Sequence, residues 1–204
     1  MAPKKTPKTK AKPAPKTKKK KARKLSHRKS PESPAVLEGI DRSGSHSTAR
    51  ELSWAEFDRV VQQLARELSK TFKPEAVVGV AHGGVFVGGA LASALKVEFY
   101  PVRISRRSRD QGVAAAPKLS GVMPKELKGR RVAIVDDIAA SGDTLELASA
   151  LAKKGAGAKA IATVALVCRP TGFTPDFYWE SSGNFFVFPW DYDLSTDQRF
   201  RALM

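Results

Sequence analysis

The sequence has one cysteine, Cys168, so no disulfide can form within the chain and nothing requires an oxidising compartment. No apolar stretch reaches the ~18 uninterrupted residues of a membrane span. The opening MAPKKTPKTK lacks the apolar core of a secretory leader. It is rich in lysine rather than arginine and has no apolar face, which argues against an organellar transit peptide as well. These absences predict a protein of the cytoplasm. There is no internal repeat and no helix-turn-helix pattern. Acid is missing from one region: residues 1–31 hold 14 Lys and Arg and no Asp or Glu.

What remains is ordinary for a globular chain. Its 204 residues, 42% of them hydrophobic, allow one domain plus an appendage. The formal charge of +16 is concentrated in the tail, because Glu32 to Met204 carry 22 basic against 20 acidic residues. Residues 1–31 consist mainly of Lys, Pro, Ala and Thr, with too little apolar bulk to offset the entropy of ordering, and are expected to be disordered. Their composition resembles that of linker-histone tails, and such lysine runs bind nucleic-acid backbones without sequence readout. A solvated extension is the other reading. Residues 32–51, with Pro34, Gly39, Ser43, Gly44 and Ser45, read as a linker, leaving 52–204 as the folded domain.

Ser53 followed by Glu56 forms a capping box, and Trp54, Phe57, Val60, Val61, Leu64 and Leu68 recur at helical spacing. Four apolar runs follow, at 76–81, 97–104, 131–136 and 159–167, with helix patterns at 85–95 and 144–154. Runs that are apolar on consecutive positions suit strands covered on both faces, so the alternation predicts an α/β domain with a central parallel sheet flanked by helices. Residues 105–125, broken by Gly and Pro, read as a long basic loop in which Arg106, Arg107 and Arg109 could close over a site. The aromatic segment 174–193 reads as a hairpin-like attachment.

The chemistry concentrates in RVAIVDDIAASGDT. A buried strand ends at Asp136 and Asp137, a small-residue loop follows, and a helix starts near Asp143. Ligands of open α/β sheets bind at strand carboxyl ends. Ala140, Ser141 and Gly142 are small enough to let backbone N–H groups approach an anion at a helix start. The loop lacks the GK[ST] ending of a Walker loop, and the paired acids before it suit sugar hydroxyls. A second strand, glycine turn and helix recurs over residues 76–95.

The thirteen positions from Val132 to Thr144 resemble the ribose-phosphate motif of the type I phosphoribosyltransferases: apolar strand, two acids, short small stretch, then Ser, Gly, a variable residue and Thr. The resemblance implies that Asp136 and Asp137 hold the ribose hydroxyls, and that Ala140, Ser141, Gly142, Asp143 and Thr144 hold the 5′-phosphate of phosphoribosyl pyrophosphate. His82, Gly83 and Gly84 match the family's pyrophosphate loop, with His82 where Arg or Lys is common. The opening helix and the ending NFFVFPW resemble a small purine-type (xanthine, guanine, hypoxanthine) subgroup. On that likeness the aromatic end forms a small C-terminal hood, Phe185 stacks on the base, the Phe186 backbone reads its exocyclic groups, and Arg169 stands beside the purine oxygen. Mg²⁺ is the implied cofactor, held largely through substrate oxygens near Asp136 and Asp137, and a homodimer is implied. Ala140 departs from the 6-oxopurine enzymes, which carry Asp there as a proton acceptor. Salvage of a nucleobase is the activity implied; a regulator that binds phosphoribosyl pyrophosphate without turnover is the alternative.

Overall fold

The computed structural model describes residues 23–24, 36–40, 46–107 and 114–191. In chain order the strands are β1 (Arg23–Lys24), β2 (Val36–Ile40), β3 (His46–Glu51), β4 (Ala76–Ala81), β5 (Glu98–Arg107), β6 (Ala114–Ser120), β7 (Arg131–Ala139), β8 (Ala160–Cys168), β9 (Phe177–Ser181) and β10 (Phe185–Val187). The helices are α1 (Trp54–Thr71), α2 (Gly83–Leu95) and α3 (Asp143–Ala150), the last continued by a π-helical turn, Leu151–Gly155. Ser53 caps α1, its Oγ accepting the Glu56 N–H at 3.2 Å.

Seven strands form one sheet in the order β1-β9-β8-β7-β4-β5-β6. β9, β8, β7, β4 and β5 run parallel, and β6 pairs antiparallel with β5. Successive side chains of a strand face opposite ways, and the core divides accordingly. Val77 packs on one face with Leu64 and Leu68 of α1 and Leu91 of α2. Ala76, Val78 and Val80 pack on the other face with Leu145 and Ala148 of α3. This two-sided cover explains the apolar residues at consecutive positions of β4 and β7. Each fully buried leucine contributes about 1.5–3 kcal/mol.

Three expectations change. The segment 32–51, expected as a linker, contains β2 and β3, which pair antiparallel within a three-stranded sheet. The expected loop 105–125 contains strand among its described residues: β5 runs through Arg106 to Arg107, and β6 pairs antiparallel alongside, with an irregularity between Ser105 and Arg107. Arg109 lies outside the described residues. The aromatic end is no hairpin, since β9 extends the main sheet while β10 joins a three-stranded sheet of order β10-β3-β2. Here β10 runs parallel to β3, with Phe185 opposite Ala49 and Phe186 opposite Arg50, which forbids a direct turn between β10 and its partner. The hood is therefore built from both ends of the domain. Apart from Arg23–Lys24, which pair with Phe177–Tyr178, the expected tail lies outside the described residues.

Candidate functional site

The sheet opens where β4 and β7 part. Their pairing ends at Gly79 opposite Val135, whereas β4 continues beside β5 to Ala81, and β7 continues beside β8 to Ala139. The α2 crossover leads from β4 outward to β5 on one side, and the α3 crossover leads from β7 to β8 on the other. This is the switch point of an open parallel sheet, where a crevice forms at the strand carboxyl ends.

The turn from β4 into α2 lies against the end of β7. A Cβ on Gly83 would stand 1.7 Å from Asp137 Oδ2, and one on Gly84 would stand 2.5 Å from the Val135 carbonyl and 2.9 Å from Asp136 Cα. Both positions therefore require glycine, and the approach sets the amide-rich start of α2 beside the two acids. His82, joined to Ala81 by a cis peptide, is exposed immediately before α2, and its side chain makes no cap hydrogen bond.

Asp136 and Asp137 are partly buried. Asp136 Oδ1 accepts the Asp137 N–H at 3.0 Å, and Asp137 Oδ1 accepts the Ile138 N–H at 2.8 Å. Burial, followed by the neighbouring Asp137 charge, holds the Asp136 carboxyl well above the usual carboxylate range. Such a group favours a ligand that supplies hydroxyl donors or positive charge.

Past Ala139 the chain forms a concavity of about 130 Å³, lined by Asp136, Ile138, Ala140, Ser141, Gly142 and Thr144 among others. Gly142 has φ of +88° and precedes α3, whose first intrahelical bond runs from the Glu146 N–H to the Gly142 carbonyl at 2.8 Å. The amides before Glu146 form the open first turn, whose partial positive charge faces the concavity. Ser141 Oγ donates to Asp143 Oδ2 at 3.0 Å, and both residues are exposed. Asp143 sits in the first turn of α3, where the helix dipole favours an acid.

Residues just past β8 support this loop from behind, and of these the sequence singled out only Arg169, for a different role. The Phe173 N–H donates to the Ala140 carbonyl at 3.0 Å, and the Arg169 N–H donates to the Ala139 carbonyl at 3.0 Å. A Cβ on Gly172 would lie 2.0 Å from the Ala140 carbonyl, and one on Gly142 would lie 2.3 Å from Phe173 Cβ. The available signal was a glycine just beyond an apolar strand, the same arrangement as in the other two loops.

On the hood, Phe185 is 57% exposed while Phe186 is 2% exposed. Strand alternation turns the first outward and the second into a cluster with Trp179 and Phe188. Arg50 of β3 lies beneath, its guanidinium 4.6 Å from the Trp179 ring and 5.6 Å from the Phe186 ring, paired with Glu56 and Glu180. Arg169 Nη1 donates to the Asn184 carbonyl at 2.6 Å and to that of Ser182 at 3.3 Å. The geometry brings the His82–Gly84 turn, the two acids and the phosphate-loop candidates into one crevice, while Arg169 is engaged with the hood's backbone.

Among the described residues no group of three or more His, Cys, Asp or Glu could hold a metal ion, and no helix is long and apolar enough to cross a membrane. Residues 52–197 match a family model described as a phosphoribosyl transferase domain. The chain is 33% identical over 121 residues to an adenine phosphoribosyltransferase of Nitrobacter hamburgensis, covering 56% of this chain and 66% of that protein. It is 30% identical over 145 residues to an orotate phosphoribosyltransferase of Thermotoga maritima, covering 68% and 72%. The chain thus spans just under two thirds of the Nitrobacter relative's length. A purine phosphoribosyltransferase of Pyrococcus horikoshii superposes with a TM-score of 0.63 at 30% identity, covering 71% of this chain and 95% of that one.

Proposed function

The chain belongs to the phosphoribosyl transferase domain family, and on that premise we propose that it transfers ribose 5-phosphate from phosphoribosyl pyrophosphate to a purine-like nucleobase. The bond from ribose C1′ to the pyrophosphate oxygen breaks, a bond from C1′ to a ring nitrogen forms, and that nitrogen's proton passes to solvent. The products are a nucleoside 5′-monophosphate and pyrophosphate. The reading rests on one observation: Gly83 and Gly84 lie directly against Asp136 and Asp137 at the switch point, with the concavity of about 130 Å³ beginning at the end of the same strand.

Asp136 and Asp137 orient the ribose hydroxyls, and the loop Ala140, Ser141, Gly142, Asp143 and Thr144 receives the 5′-phosphate on its amides. The turn His82, Gly83 and Gly84 receives the pyrophosphate. Phe185 stacks on the base, and the Phe186 backbone borders it. Asp136 and Asp137 would hold Mg²⁺ through substrate and water oxygens, and the ion would neutralise charge on the leaving pyrophosphate. A pair of adjacent carboxylates suits an ion that keeps waters and substrate oxygens, as Mg²⁺ does. Ala140 offers no proton acceptor, which favours a base that needs none there; the adenine and orotate relatives agree with that preference.

Incubation with Mg²⁺, phosphoribosyl pyrophosphate and adenine, hypoxanthine, guanine, xanthine or orotate in turn tests the proposal. Nucleotide formation with at least one base, abolished in the Asp136→Asn/Asp137→Asn double variant, is expected. Tight sugar-pyrophosphate binding without turnover on any base would instead make the chain a ligand-binding regulator.

Residues 1–31 add a partner to this proposal: nucleic acid, held through phosphate contacts by the 14 unopposed basic residues. Retention on random-sequence duplex should weaken steeply with salt, and should fall when the ten lysines from Lys4→Gln to Lys21→Gln are replaced together. Retention unchanged by those replacements would remove nucleic acid from the proposal.

A further inference from the structure

Arg169 stands just past the end of β8, between two halves of the site that sequence separates. Its backbone is fixed toward the phosphate loop: its N–H donates to the Ala139 carbonyl at 3.0 Å, and its carbonyl accepts the Gly172 N–H at 3.1 Å. Gly172 and Phe173 then lie directly beneath Ala140 and Gly142. Its side chain reaches the other way, Nη1 donating to the carbonyls of Asn184 and Ser182 at 2.6 and 3.3 Å.

The turn it grips is tied again at two points. The Ser182 N–H donates to the Cys168 carbonyl at 3.0 Å, and the Asn184 N–H donates to Ser182 Oγ at 3.1 Å. Phe185 follows immediately and is exposed. An aromatic ring projecting from a short strand has its direction set by the backbone before it, and here a charged, planar group fixes that backbone. A single guanidinium nitrogen, Nη1, reaches both carbonyls, and the planar group that carries it loses less freedom per hydrogen bond than a lysine ammonium would.

We propose that Arg169 is a positioning residue for the base clamp: by holding the Ser182 and Asn184 carbonyls it aims Phe185, and through its backbone it ties that aim to the phosphate loop. The proposal rests on the reading of Phe185 as the stacking surface. It gives Arg169 a role in every base's binding, since it acts on the clamp and not on any exocyclic group of the ligand.

The test compares the full-length protein with Arg169→Met, Arg169→Lys and Phe185→Ala. Losing charge-assisted hydrogen bonds should raise the KM for adenine and hypoxanthine alike by about tenfold in Arg169→Met. The KM for phosphoribosyl pyrophosphate should stay within about twofold of wild type, and Arg169→Lys should recover part of the loss. Amide hydrogen exchange over residues 182–187 should quicken in Arg169→Met, a readout independent of turnover. A KM rise confined to hypoxanthine would overturn the proposal, because Arg169 would then be contacting the base oxygen. Unchanged exchange over 182–187 would overturn it as well. If exchange quickens in Arg169→Met while Phe185→Ala leaves every base KM unchanged, the stacking reading fails and the grip of Arg169 on the turn stands.

Discussion

Replacing Asp136 by Asn should make the ligand-free protein more stable while disabling it. The amide keeps a carbonyl oxygen to accept the Asp137 N–H at 3.0 Å, so no backbone hydrogen bond is lost. What disappears is a carboxylate that burial and the Asp137 charge disfavour. The sign follows from proton linkage. Because the folded-state pKa is raised, the folded protein holds this proton more firmly than the unfolded chain does. Wild-type stability therefore falls as pH rises from the unfolded carboxylate value, about 3.9, through the raised folded value. The advantage of Asp136→Asn should be small in acid, grow across that window and level off above it. Single stabilising substitutions are commonly worth about 0.5–2 kcal/mol, and Asp136→Asn is expected in the upper part of that range, about 1–2 kcal/mol, at neutral pH. At about 2–4 °C per kcal/mol for a domain of this size, the Tm should rise by about 2–8 °C. Thermal melts at several pH values without ligand measure it, and turnover should drop in the same variant. A Tm gain that does not change with pH, or a loss at every pH, would refute the reasoning.

Gly83→Ala places a methyl 1.7 Å from Asp137 Oδ2 and should cut kcat/KM at least ~100-fold while costing about 1–3 kcal/mol in urea unfolding, because the carboxylate must swing from its place. Phe186→Ala should destabilise by about 3–5 kcal/mol in the same assay, whereas neighbouring Phe185→Ala should stay within ~0.5 kcal/mol, since only the former is buried. Arg50→Met leaves Glu56 and Glu180 facing each other without their shared cation and should cost about 2 kcal/mol, a difference that shrinks at high salt in denaturant titrations. Ala140→Asp installs a proton acceptor beside the proposed base site and should raise kcat with hypoxanthine by at least ~10-fold relative to adenine, measured by nucleotide formation.

The main sheet was legible because its strands are covered on both faces. Val77 and Val78, or Ala133 and Ile134, are apolar in succession whichever way they point, and that pattern is strong in sequence. The crevice was legible for a related reason: the glycines at 83 and 84 follow such a strand, and the acids at 136 and 137 stand near the carboxyl end of another. The rim was not. β3 carries His46, Ser47, Thr48 and Arg50, with no apolar alternation, because its order comes from pairing with β10 and from the ion pairs of Arg50. β5 beyond Ile104 hides behind Arg and Ser residues that read as loop, yet the antiparallel ladder with β6 carries it to Arg107. Arg169 was assigned by likeness to the base side, and only its hydrogen-bond partners reveal its hold on the hood backbone. The support from Gly172 and Phe173 is a matter of tertiary proximity that local pattern does not encode.

The parallel pairing of β10 with β3 bears on how the molecule comes into being. On a ribosome, β3 emerges long before its partner, and must wait through synthesis of the whole α/β body for the strand that bears Phe185. Every residue proposed to hold the sugar precedes β10 in the chain, so the platform proposed for the base is the last part of the site to be completed.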